Sequence, residues 1–135
     1  MTVTTVAAEI KKSKLAKNAE EFSALGESGE DWFVQSADDF RRLRADRENI
    51  LARLPESEFS SFLGSLKFST KGTLASACYR PLMSVLTLSE IFEVFEHCGM
   101  AREYTVECLE YECRNGKCKF DFWSLCTHDC GACLE

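Results

Sequence analysis

The sequence predicts an α+β fold: N-terminal helices, about four of them, followed by a C-terminal β-hairpin and a cysteine-rich tail. Three observations carry this expectation. Capping patterns at Ser36/Asp39 and Thr87/Glu90 stand ahead of apolar stripes at helical spacing. Asn115-Gly116 lies between two runs of alternating and aromatic residues, the strongest short-range signal for a two-residue hairpin turn. Six of the eight cysteines fall from Tyr104 onward. A chain of 135 residues, 45% of them apolar, can bury a core without crosslinks or metals, so the cysteines need an explanation of their own.

Residues 1–35 read as an N-terminal helix and linker, and 36–135 as a single α+β domain ending in the hairpin and tail. From about Thr4 to Leu25 a loose helical stripe runs through Val6, Ile10, Leu15, Phe22 and Leu25, and Gly26 follows as a stop. The polar linker from Gly26 to Ser36 is interrupted by Trp32, Phe33 and Val34, which are expected to tuck onto the core. Ser36 then opens a helix predicted to reach Leu54, closed by Pro55. Its Arg41, Arg42, Arg44 and Arg47 alternate with carboxylates, the pattern of a solvated face with local ion pairs. Ser57 is read as the cap of a short helix buried through Phe59, Phe62, Leu63 and Leu66. The stretch from Thr73 to Leu86 is too mixed in period to assign, and its Cys78 reads as a small buried hydrophobe.

Thr87 and Glu90 form a capping box for a helix from Leu88 to Cys98, ended by Gly99. Leu88, Ile91, Phe92 and Phe95 make its predicted buried face, with His97 turned to water. A helix followed by a strand-turn-strand also describes a winged-helix module, but this helix is lined with carboxylates that would repel nucleic-acid phosphates.

The Asn115-Gly116 turn fixes the register of the hairpin. Cys113 is placed opposite Cys118, Tyr111 opposite Phe120 and Leu109 opposite Phe122, a ladder expected to face the core. The other face pairs Glu112 with Lys119, Glu110 with Asp121, Cys108 with Trp123 and Val106 with Leu125.

Charge and composition narrow the function classes. A net charge of −6 and a pI near 5.0 argue against a nucleic-acid partner, and no apolar run is long enough to span a bilayer. The first twenty residues carry Lys11, Lys12, Lys14 and Lys17 and no signal-peptide core, so a cytoplasmic, reducing setting is expected. There, clustered cysteines more often bind metal or work as redox thiols than as crosslinks.

The candidate metal ligands are Cys113, Cys118, Cys126, Cys130, Cys133 and His128. In one arrangement Cys113 and Cys118 form one zinc knuckle and Cys130 and Cys133 the other. Distance opposes it, because a straight strand from Cys118 to Leu125 runs roughly 23 Å away from the turn. In a second arrangement Cys126, Cys130 and Cys133 bind at the base of the hairpin, with His128, Cys108 or Cys98 as fourth ligand. Their C-x3-C-x2-C spacing resembles the cluster motif of radical SAM enzymes over eight residues, and an iron-sulfur cluster is the alternative cofactor. In a third arrangement no metal is bound, and Cys113 and Cys118, opposed beyond the turn, are close enough for a disulfide in an oxidising environment. The run Cys130-Gly131-Ala132-Cys133 resembles the dithiol of thioredoxin-like proteins and would act as a redox or metal-transfer pair.

The sequence therefore leads to a small, acidic, soluble zinc-binding protein, a binding or regulatory module with a protein partner. The alternatives are the terminal dithiol and a precursor peptide whose cysteine-rich end is modified by a partner enzyme. Catalysis is not expected from His97 and Cys98, since neighbouring helix residues point about 100° apart.

Overall fold

The helices are set by local signals, and the computed structural model shows where each signal acts. It describes residues 10–114 and 117–127, leaving aside the side chains of residues 112–114 and 122. The predicted start of the first helix at Thr4 and the Asn115-Gly116 turn lie outside the described residues. Asn18 accepts from the Glu21 amide at 2.8 Å and starts α1 at Ala19, so α1 spans Ala19–Glu27 rather than the longer predicted helix. A short 3-10 turn, Lys12–Lys14, lies before it. Ser36 caps α2, Ala37–Ala45, as predicted. This helix stops nine residues short of Leu54, because the Asp46 carboxylate takes the Glu48 amide and Asn49 starts a separate 3-10 turn, Ile50–Arg53.

Helix α3, Glu56–Gly64, begins on Pro55, not on Ser57, whose hydroxyl bonds to Glu58 instead. The unassigned stretch after it holds two strands, β1 (Lys67–Phe68) and β2 (Leu74–Cys78), and a 3-10 turn, Arg80–Ser84. The capping box of Thr87 and Glu90 is present, and α4 spans Leu88–Glu96. Its buried residues are Ile91, Phe92, Val94 and Phe95, whereas Leu88, predicted to be buried, is 55% exposed. Gly99, at φ 90°, ends the turn that follows.

The residues predicted to begin the hairpin are helical: α5 spans Arg102–Cys108 and buries Tyr104, Thr105 and Cys108. Val106 points outward, so the predicted Val106–Leu125 and Cys108–Trp123 strand pairs do not form. Strands β3 (Leu109–Arg114) and β4 (Lys117–Cys126) then complete an antiparallel sheet in the order β1-β2-β4-β3. The fold is α+β, with five α-helices among the described residues where about four were predicted.

Aromatic rings link the helices beneath this sheet. Phe40 meets Phe62 edge to face at 5.2 Å, Phe62 meets Phe95 at 6.5 Å, and Phe22 of α1 lies 5.3 Å from Tyr104 of α5. Trp32, Phe33 and Val34 are buried as the sequence predicts, and the Val34 amide donates to the His97 carbonyl at 2.8 Å. Met100 bridges to Ala16 beside the Gly99 turn. Among the described residues no helix is long and apolar enough to cross a membrane.

Candidate sulfur centre at a bent hairpin

The two halves of β4 pair with different neighbours. Its C-terminal half lies on β2, with Ser76 opposite Cys126, Ala77 opposite Leu125 and Cys78 opposite Ser124. The N-terminal half pairs with β3 in the predicted register, Cys113 opposite Cys118, Glu112 opposite Lys119 and Tyr111 opposite Phe120. Below that the register breaks. Leu109 pairs with Leu125, not with Phe122, so two steps along β3 correspond to five along β4. The excess forms a bulge at which a ribbon can bend sharply.

Two residues turn the chain at this level. Glu110 on β3 has φ 70° and Trp123 on β4 has φ 72°. The left-handed region costs a side chain with a Cβ about 1–2 kcal/mol, so both strands are held in a conformation they would not adopt alone. Contacts fix the bulge. The Ser124 hydroxyl donates to Asp121 at 2.6 Å, the Tyr79 amide donates to the Trp123 carbonyl at 2.7 Å, and the Tyr79 and Trp123 rings meet edge to face at 6.3 Å. Burial raises the pKa of the Tyr79 phenol, and the Glu110 carboxylate raises it further.

The bend returns the hairpin to its own base. Eight residues of straight strand would span roughly 26 Å. Instead the Cα atoms of Cys118 and Cys126 are 5.7 Å apart and their sulfurs are joined as a disulfide. Cys126 is buried, while Cys118 is exposed. The Thr127 carbonyl lies 3.4 Å from the Cys118 sulfur and 3.6 Å from that of Cys126. Thr127 is itself pinned to β2, its amide donating to the Ala75 carbonyl and its hydroxyl to the Leu74 carbonyl, each at 2.8 Å. The base of the bond is therefore a fixed anchor on the core sheet.

The bend overturns two sequence-based expectations. The predicted core-facing ladder is exposed near the tip, with Tyr111 42% and Phe120 60% accessible, because the folded-back arm leaves the plane that packs on the core. The straight-strand distance that set Cys118 apart from the tail no longer applies.

The six predicted ligands divide accordingly. Cys118 and Cys126 are brought together and bonded to each other. The Cys113 backbone is the register partner of Cys118, its side chain lying outside the described residues, as do His128, Cys130 and Cys133. Among the described residues no group of three or more His, Cys, Asp or Glu side chains is arranged to hold a metal ion.

The remaining described cysteines are free. Cys98 and Cys108 are buried, and Cys78 is half-buried rather than fully enclosed. Burial pushes the Cys98 thiol far up and the Cys108 thiol up to about 12, so neither is a nucleophile near neutral pH. His97, predicted to face water, is buried, with its Nε2 3.4 Å from the Asn49 amide nitrogen. Burial lowers its pKa to about 4, so the ring is neutral at physiological pH. Of the four arginines read as a solvated face, Arg41 and Arg42 make the local pairs, with Asp38 and Asp39, whereas Arg44 is half-buried and reaches Glu56 of α3, and Arg47 lies beyond α2.

Sequence reasoning missed Glu110, Trp123 and Tyr79, the residues that make the bend. Nothing in the residue types marks them, since glycine is the usual sign of a left-handed position. Compared with protein-family models, characterised proteins and solved structures, the chain gives no match.

Proposed function

We propose that this chain is a small binding or regulatory protein whose C-terminal sulfurs hold a zinc ion when reduced. The observation that supports this reading is the approach of Cys118 and Cys126, whose Cα atoms lie 5.7 Å apart although eight residues of strand separate them. Gathered on one ion after reduction, these sulfurs would act as a pair of thiolates that bites one edge of a tetrahedral site. Cys113 stands opposite Cys118 in the ladder. Cys130 and Cys133 follow Cys126 by four and seven residues, so the tail supplies further ligands at little cost in loop entropy.

The disulfide itself favours a second reading, in which the Cys130/Cys133 dithiol exchanges electrons with partners and the cysteine-rich end carries no metal. Metal analysis with a thiol count, on protein purified under reducing conditions without added metal, separates the two. About one zinc per chain, lost in C118S and C126S and kept in C78S, is the expected result. Metal-free protein with two fast-reacting thiols supports the dithiol, and bound iron with visible colour supports a cluster. Mass shifts confined to the tail in protein from its native host support the modified-precursor reading.

A further inference from the structure

We infer that the Cys118–Cys126 bond is a redox latch that holds the distal arm of the β3–β4 hairpin folded over its base, and that reduction releases the arm about Glu110 and Trp123. Three observations combine. The bond joins two residues of one strand across the bend, so it closes the hinge and little else. Both hinge residues are non-glycine and left-handed, so the backbone opposes the bent form, and once the bond is broken the Tyr79–Trp123 and Ser124–Asp121 contacts are left to counter that strain. Among the arm's described side chains, Tyr111, Lys117, Cys118, Lys119 and Phe120 are exposed, so these residues contribute little buried apolar surface to oppose release.

The chemistry suits the asymmetry of the bond. A thiolate of an external dithiol attacks the exposed Cys118 sulfur, and the Cys126 sulfur leaves and takes a proton. The second thiol of the reductant resolves the mixed disulfide and frees Cys118. Overall the dithiol becomes a disulfide, while two electrons and two protons pass to Cys118 and Cys126. Cys126 stays on the core sheet, paired with Ser76 and next to the pinned Thr127, so the arm moves and its base does not.

Amide hydrogen exchange of the full chain, oxidised and after dithiothreitol, tests the latch. EDTA is present throughout, so no metal can close the arm again; the outcome is independent of whether zinc binds. Reduction is expected to speed exchange in residues 111–114 and 117–122 at least tenfold and to leave α4 unchanged. C118A/C126A is expected to show the fast arm without reductant and no further response to it. E110G, which adopts the bent backbone without strain, is expected to recover part of the slow exchange in the reduced state. An arm that exchanges alike in both redox states overturns the latch, as does a loss of protection spread equally through α4.

Discussion

Glu110 and Trp123 take left-handed backbone, φ 70° and 72°, within the same interval of the β3–β4 ladder, between the pairs Leu109–Leu125 and Tyr111–Phe120. Neither is a glycine. The strain is met from outside the hairpin, by the Tyr79 amide on the Trp123 carbonyl and the Tyr79 ring against the Trp123 ring.

Replacing Glu110 by glycine removes one source of that strain. E110G is expected to raise stability by about 0.5–1 kcal/mol in urea unfolding, the gain from a permitted left-handed backbone less the added entropy of the unfolded chain. W123G is expected not to stabilise, because it also deletes the contact with Tyr79. Equal gains from both variants would show that this contact does not hold the bend.

His97 makes stability depend on pH. Its folded pKa of about 4 lies below its ordinary value of 6.5, so between these limits the unfolded chain binds the extra proton. Stability is fully present above about 6.5 and falls as pH drops toward 4, by at most about 3 kcal/mol. Below that the native ring also protonates and this contribution is flat. Thermal unfolding from pH 7.5 to 4 should show the fall in the wild type, and H97Q should lose the part that belongs to this residue.

A side chain at Gly99 would have to displace Leu25. A Cβ there would stand 2.5 Å from Leu25 Cδ2, on a backbone at φ 90°. Its carbonyl accepts the Ala16 amide at 2.8 Å, so the turn cannot shift without loosening the N-terminal segment. G99A is expected to destabilise by roughly 2–4 kcal/mol. G29A, at an open position with φ 78°, meets nothing within 4 Å and should lose only the backbone part of that. Chemical denaturation of the two variants measures the difference.

The three free thiols among the described residues should differ in reactivity. Cys78 is half-buried beside a cleft of about 550 Å³ lined by Ser65, Arg80 and Pro81, whereas Cys98 and Cys108 are enclosed and their thiols held protonated. A short iodoacetamide pulse at pH 8, read by peptide mapping, should label Cys78 at least tenfold faster than the other two. Comparable labelling of Cys98 would mean that the turn after α4 opens readily.

What the sequence reveals follows the range of the interaction. The Thr87/Glu90 capping box, the Ser36 cap and the ladder from Cys113–Cys118 to Tyr111–Phe120 depend on residues a few places apart, and all are found as read. Helix α5 was hidden because Tyr104, Val106 and Cys108 mimic strand alternation, while tertiary packing selects the helical set Tyr104, Thr105 and Cys108. Strand β2 lacks alternation since both its faces are covered, and its partner Cys126 lies 50 residues beyond Ser76. The pairing of Cys118 with Cys126 was least legible of all. It depends on a bend set by ordinary side chains and by Tyr79, from a distant turn.

Because both ends of the disulfide belong to one strand, the segment between them can be cut without parting the molecule. Lys119 is exposed within that segment. A tryptic nick after it leaves fragments 1–119 and 120–135 covalently tied, with the second seated on β2 through Ser124 to Cys126. A chain cut at Lys119 alone is expected to run as one species on a non-reducing gel and to release residues 120–135 only when a thiol is added.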